Sequence, residues 1–336
     1  MIYTQELKDA SAATPLLAAV GIERIEQADY TVGLFDGDRL VGIGSLKDGI
    51  IQGIAVDPDI QGGGLANRII TELIEHATRL GLETLYLFTK PDKTLAFAPM
   101  GFRELAIAPP YAVMMEWGAN SMERYLAGLV SGVRPTAAAI VMNANPFTKG
   151  HLYLAEKASV ENDLVYLFAV REDKSVFPFS VRYHLMQQGV SHLRNVRVLD
   201  GGRYIVSSLT FPSYFTKRED QASAHAALDV ALFGSRIAPA LNIRKRYVGT
   251  EPHSPVTNVY NTEMKRRLPV YGVAVEEVPR KETGEDVISA STVRRLIGEG
   301  RVERTEAYLP PTTYAFLQSD EAKPILARIR EEAGNR

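Results

Sequence analysis

NANPFTKGHLYLAEKA, residues 143–158, follows directly on the apolar run Ala137-Ala138-Ala139-Ile140-Val141-Met142, and its reading decides the fold. The apolar run reads as a buried strand, and the residues from Gly150 onward repeat apolar positions at helical spacing. Between them Pro146 stiffens the chain, and Thr148-Lys149-Gly150-His151 opens the helix. A helix start presents unbonded N–H groups and partial positive charge, so phosphate is favoured there. Gly150 lets a ligand approach the backbone, and His151 projects from the first turn as a donor to a phosphate oxygen. Asn143, Asn145 and Thr148 border the same turn and join it as candidate phosphate contacts.

Outward from this stretch, strand-like and helical runs alternate. Strands are predicted at 139–143, 164–170, 196–199, 246–249 and 272–278, with a helix over 180–189. Such alternation predicts a parallel, doubly wound sheet that binds ligands at the carboxyl ends of its strands. A second helix start, ISASTVR at 288–294, places small hydroxyl residues at an N-cap and Arg294 within the helix. Ser289 and Ser291 suit phosphate oxygens, and Arg294 can spread charge over a transition state at phosphorus. Gly249 and Glu251 end another strand, where the glycine allows close approach of a ligand. Arg182, in the helix after Phe179, reads as structural or phosphate-steering rather than chemical.

The first half is punctuated differently. Residues 31–35 and 40–46 form a hairpin pattern around Asp36-Gly37-Asp38, and 50–56 read as a further strand. Gln61-Gly62-Gly63-Gly64-Leu65-Ala66 then leads into an amphipathic helix that Gly81 stops. Three glycines free successive N–H groups to converge on an anion such as a pyrophosphate. Glu75 and His76 read as solvated helix-face residues, and residues 83–89 as the next strand. A connecting helix ended by Gly132 and Pro135 divides the chain into 1–118, a linker at 119–135, and 136–336.

Bulk properties exclude several classes. Net charge is −2, so no global field invites nucleic acid or anionic lipid. Cysteine is absent, which rules out disulfides, thiolate zinc sites and an acyl group carried on a thiol of this chain. A reducing cytoplasm fits that composition. Neither a signal segment nor a membrane anchor is expected from the N-terminal residues. The remaining histidines, His184, His192, His225 and His253, show no metal-ligand spacing.

The strand, the QGGGLA turn, its helix and the later Phe97-Ala-Pro-Met-Gly101-Phe102 resemble the GNAT acetyltransferase fold, a mixed α/β domain that binds coenzyme A by that turn. The resemblance implies that Gln61, Gly62, Gly63, Gly64, Leu65 and Ala66 hold a coenzyme A-like group. Many members place a tyrosine four residues before the Gly-Phe pair as a general acid; Phe97 stands there instead, so this half reads as a binding module. TKGH paired with ISASTVR resembles the nucleotidyltransferase superfamily, whose Rossmann-like domain holds ATP between the two elements. That likeness implies a basic residue after the second strand of this half, for which Lys174 is the candidate.

The fusion order, with VMNANPFTKGH, VGTEPHSPVTNVYN, EEVPRKETGEDVISASTVR and LPPTTYAFL in sequence, resembles the citrate lyase ligase family. The resemblance implies activation of acetate by ATP and Mg²⁺ through acetyl-adenylate, with release of pyrophosphate and AMP. The acceptor it implies is the thiol of phosphoribosyl-dephospho-coenzyme A on the citrate lyase acyl carrier subunit. His151, Thr148, Lys174 and Arg294 become the expected catalytic set. Two alternatives share the motifs: an adenylyltransferase acting on a phosphopantetheine-like precursor, and a coenzyme A-responsive nucleotide binder without turnover.

Overall fold

The computed structural model describes residues 2–22, 28–60, 64–119, 121–129, 132, 135–171, 175–205, 211, 220–250, 255–280, 282–283 and 286–334, with side chains undescribed at 255–257, 282–283 and 286–287. The chain divides into two compact units, Met1–Arg124 with Phe211–Ala231, and Tyr125–Thr210 with Leu232–Arg336.

The first unit is built on one seven-stranded sheet. Its strands are β1 (Ile2–Glu6), β2 (Tyr30–Asp36), β3 (Arg39–Lys47), β4 (Ile50–Val56), β5 (Thr84–Thr89), β6 (Arg103–Ala108) and β7 (Ala112–Gly118), in the order β1-β2-β3-β4-β5-β7-β6. The hairpin between β2 and β3 turns where expected, with Gly37 at φ 58°, a conformation that costs glycine no steric penalty. All neighbours are antiparallel except β4 and β5, which pair in parallel at Ile50 and Ile51 alone. Beyond those two residues the strands splay. The amphipathic helix Leu65–Arg79 buries Ile69, Ile70, Leu73 and Ala77 against the sheet core around Val32, Leu34 and Val113. A later segment joins this unit: Phe211 meets Phe88 edge to face at 6.0 Å.

The second unit carries a five-stranded sheet of β8 (Ala137–Met142), β9 (Val165–Ala169), β10 (Val196–Asp200), β11 (Ile243–Gly249) and β12 (Ala274–Val278). Its order is β10-β9-β8-β11-β12, and every neighbouring pair is parallel. Parallel sheets are covered on both faces, which is why β9 reads as an unbroken buried run, Val-Tyr-Leu-Phe-Ala, rather than an alternating one. The chain winds outward from β8 in one direction, then returns to start β11 on its other side. The crevice between β8 and β11 is therefore the switch point, where the loops that follow the two strands diverge and leave room for a ligand.

Candidate functional site

A cavity of about 470 Å³ opens at that switch point. Its lining includes Asn143, Asn145, Thr148, Gly150 and His151 from the turn after β8, Gly249 after β11, Arg280 after β12, and Ser289, Ser291 and Arg294 from the second motif. The two motifs, separated by well over a hundred residues in sequence, thus share one space.

The helix Lys149–Glu161 begins at N-cap Thr148, and His151 replaces the usual acidic residue of a capping box. The His151 N–H donates to Thr148 Oγ1 at 3.4 Å, and the Thr148 N–H donates to His151 Nδ1 at 3.0 Å. Accepting that bond leaves Nδ1 unprotonated, so the ring proton of the neutral imidazole sits on Nε2. The Thr148 hydroxyl lies 2.9 Å from Nδ1 and is buried, which makes Thr148 the residue that aims His151. Behind the imidazole lies Phe147, stacked at 5.7 Å, and Phe147 fits because Gly189 leaves it space: a Cβ there would meet the ring at 2.4 Å. Burial, followed by the nearby Arg280 guanidinium, pushes the imidazole pKa down to about 4. At neutral pH His151 is an uncharged donor.

Arg182 decides the shape of this turn. Fully buried, it donates from Nε to the Phe177 carbonyl at 3.0 Å and from Nη1 to the carbonyls of Asn143 at 2.7 Å and Val170 at 2.9 Å. The residues after β8 and β9 are held together by one guanidinium, a structural role. Asn145 braces the loop twice, since its Oδ1 accepts the Phe177 N–H and its carbonyl accepts from Arg294. Asn143 donates to Ser175 Oγ at 3.0 Å. Arg294, expected on a phosphate, is thereby also a strut between the two motifs.

Ser289 is the N-cap of the helix Ala290–Gly298 and accepts from the Thr292 N–H at 3.0 Å. Its hydroxyl lies 2.8 Å from that of Ser291, so the helix start offers two hydroxyls to the cavity. The protein itself leaves little room at Gly150, a reason the sequence reading did not foresee. A Cβ at Gly150 would stand 3.1 Å from the Ile288 carbonyl, because the second motif packs on the first helical turn. Gly150→Ala should wedge the two motifs apart by a few tenths of an ångström. The expected result is about a tenfold loss of turnover with little change in melting temperature, since displacement is costly for reacting groups and alanine favours the helix. Parent-like turnover would refute it. A Cβ at Gly249 would meet nothing, leaving open space over the strand end.

Arg280 escaped the sequence reading, because it lies in a stretch without helical or strand periodicity. The signal available was its place just after the fifth strand. Lys174 and Glu251 lie outside the described residues.

In the first unit, Gln61, Gly62 and Gly63 also lie outside the described residues. Gly64 is the N-cap of Leu65–Arg79 at φ 74°, and Leu65 and Ala66 lay their side chains on the core, so any ligand contact from them is through backbone. Phe97 packs edge to face on Phe102 at 6.2 Å. His76 is not a solvated residue as expected: its ring stacks on Tyr30 at 3.6 Å, because both lie partly buried on one face.

Among the described residues no group of carboxylates, histidines or cysteines could hold a metal ion, and no helix is long and apolar enough to cross a membrane.

Residues 137–317 match the family model described as the citrate lyase ligase C-terminal domain, and residues 6–102 match that of the acetyltransferase (GNAT) family. Three curated proteins, each named citrate (pro-3S)-lyase ligase, are similar along most of their length. The Klebsiella pneumoniae protein is 40% identical over 83% of this chain and 84% of its own. The Haemophilus influenzae protein is 37% identical over 93% and 96%, and that of Escherichia coli 34% over 100% and 97%.

Proposed function

Because this chain belongs to the citrate lyase ligase family, an enzyme family, we propose that it activates citrate lyase in the cytoplasm by ATP-dependent acetylation of that enzyme's acyl carrier subunit. An acetate oxygen attacks the α-phosphorus of ATP; the bond from that phosphorus to its bridging oxygen breaks, and the electron pair leaves on pyrophosphate. The thiolate of the carrier's phosphoribosyl-dephospho-coenzyme A group then attacks the acetyl carbon. AMP departs with the electrons of the acyl–oxygen bond, and the thiol proton passes to solvent. Acetate is already a nucleophile, so the first step needs no general base.

What supports this reading is the meeting of TKGH and ISASTVR on one cavity whose donors match charge developing on phosphate. His151 offers Nε2–H, Ser289 and Ser291 offer hydroxyls, and Arg294 adds positive charge at the helix start. We assign His151 to the transition state around the α-phosphorus, Thr148 to aiming it, and Ser289 and Arg294 to the departing pyrophosphate. Asn143, Asn145 and Gly249 frame the nucleotide, with Lys174 and Glu251 completing the assignment. No carboxylate lines the cavity among the described residues, so Mg²⁺ arriving with ATP would draw its ligands from phosphate oxygens and water.

The splayed β4 and β5 support a place for the prosthetic arm. Paired at only two residues, they leave the rest of the facing edge of β4 without a strand partner from β5, and an extended chain fits such an edge. The Gly64 turn would hold the arm's phosphates at a helix N-terminus. Gly64→Val places a β-branched residue at positive φ and should raise the apparent KM for the carrier about tenfold through the distorted turn. Acetate-dependent pyrophosphate formation without carrier should be unchanged. An unchanged carrier KM would remove the turn from the docking site.

The deciding measurement is release of pyrophosphate and AMP from ATP and Mg²⁺, with and without acetate, in the presence of deacetylated citrate lyase. Acetate-dependent release of both, with restored lyase activity, supports the reading. AMP retained in a dinucleotide with a phosphopantetheine-like acceptor would replace it by the adenylyltransferase, and ATP binding without pyrophosphate by a regulator.

A further inference from the structure

Lys149 stands between Thr148 and Gly150, yet it does not join them in lining the cavity at the switch point. It lines a neighbouring cavity instead, with Arg301 and Arg304. A lysine in the first turn of the helix Lys149–Glu161 is unfavourable by itself, because the unbonded N–H groups there already carry partial positive charge. Its ammonium reaches the end of another helical stretch, Val302–Tyr308, where Nζ donates to the carbonyls of Glu306 and Ala307 at 3.0 Å each. Carbonyls at a helix end carry partial negative charge and are left over from the helical pattern, so a cation is favoured there.

That stretch forms one body with the second motif. The helix Ala290–Gly298, capped by Ser289, ends where the Arg301 N–H donates to the Leu296 carbonyl at 2.8 Å, and Val302–Tyr308 follows at once. Val293 and Ile297 of that helix are buried with Leu309, and Val302 and Tyr308 pack on the same core. Lys149 therefore ties the start of the TKGH helix to the body that carries Ser289, Ser291 and Arg294. Contacts at the near end of this body are Arg294 on the Asn145 carbonyl and Ile288 against Gly150. A body held at one end can rock about it, whereas a tether at its far end fixes the angle. The tethers also differ in duty: Arg294 is assigned to pyrophosphate, so its bond to Asn145 competes with the substrate, while Lys149 holds carbonyls that no reaction step needs.

We propose that Lys149 is a positioning residue, which sets the angle between the two motifs and so the alignment of Ser289 and Arg294 with His151 around the reacting phosphorus. This role rests on the acid-activation reading above.

The test uses the full chain with Lys149→Met, which keeps the stem and removes the ammonium, and Lys149→Arg, which keeps the charge and the donors. Acetate-dependent pyrophosphate release is followed as ATP is varied, with calorimetric ATP binding and melting temperature read on the same samples. Lys149→Met should lower kcat about tenfold, since a small misplacement is costly for reacting groups, with ATP affinity within about threefold and the melting temperature within about 3 °C. Lys149→Arg should return kcat to within about threefold of the parent, because a guanidinium still offers donors to both carbonyls.

ATP affinity falling as far as turnover would overturn the proposal and make Lys149 a phosphate ligand. Parent-like turnover in Lys149→Met would leave it a surface tether. Loss of fold in Lys149→Met would make it a stability residue, and failure of a folded Lys149→Arg to recover turnover would assign the effect to the stem; either result overturns the positioning role. A parent that releases no pyrophosphate in response to acetate would sink the acid-activation reading, and this role with it. An active parent matched by an equally active Lys149→Met would sink only the role.

Discussion

His151→Ala is expected to lower acetate-dependent pyrophosphate release by about 10²–10³-fold while ATP affinity stays within about threefold, the pattern of a donor whose bond strengthens as charge develops. The Thr148 N–H on Nδ1 fixes the proton on Nε2, so the lost group is one oriented neutral donor rather than a cation. Its pKa near 4 keeps the imidazole uncharged through the neutral range, and the pH profile of turnover should show no limb from His151 between about pH 5.5 and 8. Stability follows the same sign. The native ring titrates below its unfolded value of about 6.5, so the unfolded chain binds more protons between the two values. The contribution is fully present above about pH 6.5 and is lost as pH falls through about 4. Melting temperatures across that window should fall more steeply for the parent than for His151→Ala. Equal turnover in variant and parent would remove His151 from the chemistry.

Arg182→Met should destabilise the second unit by about 3 kcal/mol or more, because three carbonyls lose their donor in a buried site. At roughly 2–4 °C per kcal/mol for a unit of this size, the melting transition drops by roughly 6–12 °C. Arg182→Lys should recover little, since one ammonium cannot reproduce the planar fork that reaches Phe177, Asn143 and Val170 together. A melting shift under about 2 °C for Arg182→Met would show that the carbonyls find other donors. Turnover should fall as well, because the Asn143 carbonyl anchors the turn that carries His151.

Much of this was legible locally. The hairpin of β2 and β3, the helix Leu65–Arg79 and the five parallel strands each announce themselves by the period of their apolar residues and by glycine or proline at their ends. Other parts carried no such mark. The edge strand β1 alternates weakly, and the helix Gln221–Leu232 belongs as far as Ala231 to the first unit although its start lies more than eighty residues beyond the linker, a placement no local pattern encodes. His76 looked like a surface residue because its stacking partner, Tyr30, comes from a distant strand.

The sequence by itself determined the two phosphate-type helix starts, the alternation that yields a parallel sheet, and the family, because each depends on residues adjacent along the chain. Tertiary structure alone decided which reason each residue has for being there. Gly150 is small because the Ile288 carbonyl packs 3.1 Å from where its Cβ would stand, Thr148 aims a ring, Arg182 closes two strand ends, and Arg280 enters the cavity. Steric exclusion and hydrogen-bond direction act over a few ångströms of space, and only folding brings residues 150 and 288 within that distance and residues 151 and 280 onto one cavity.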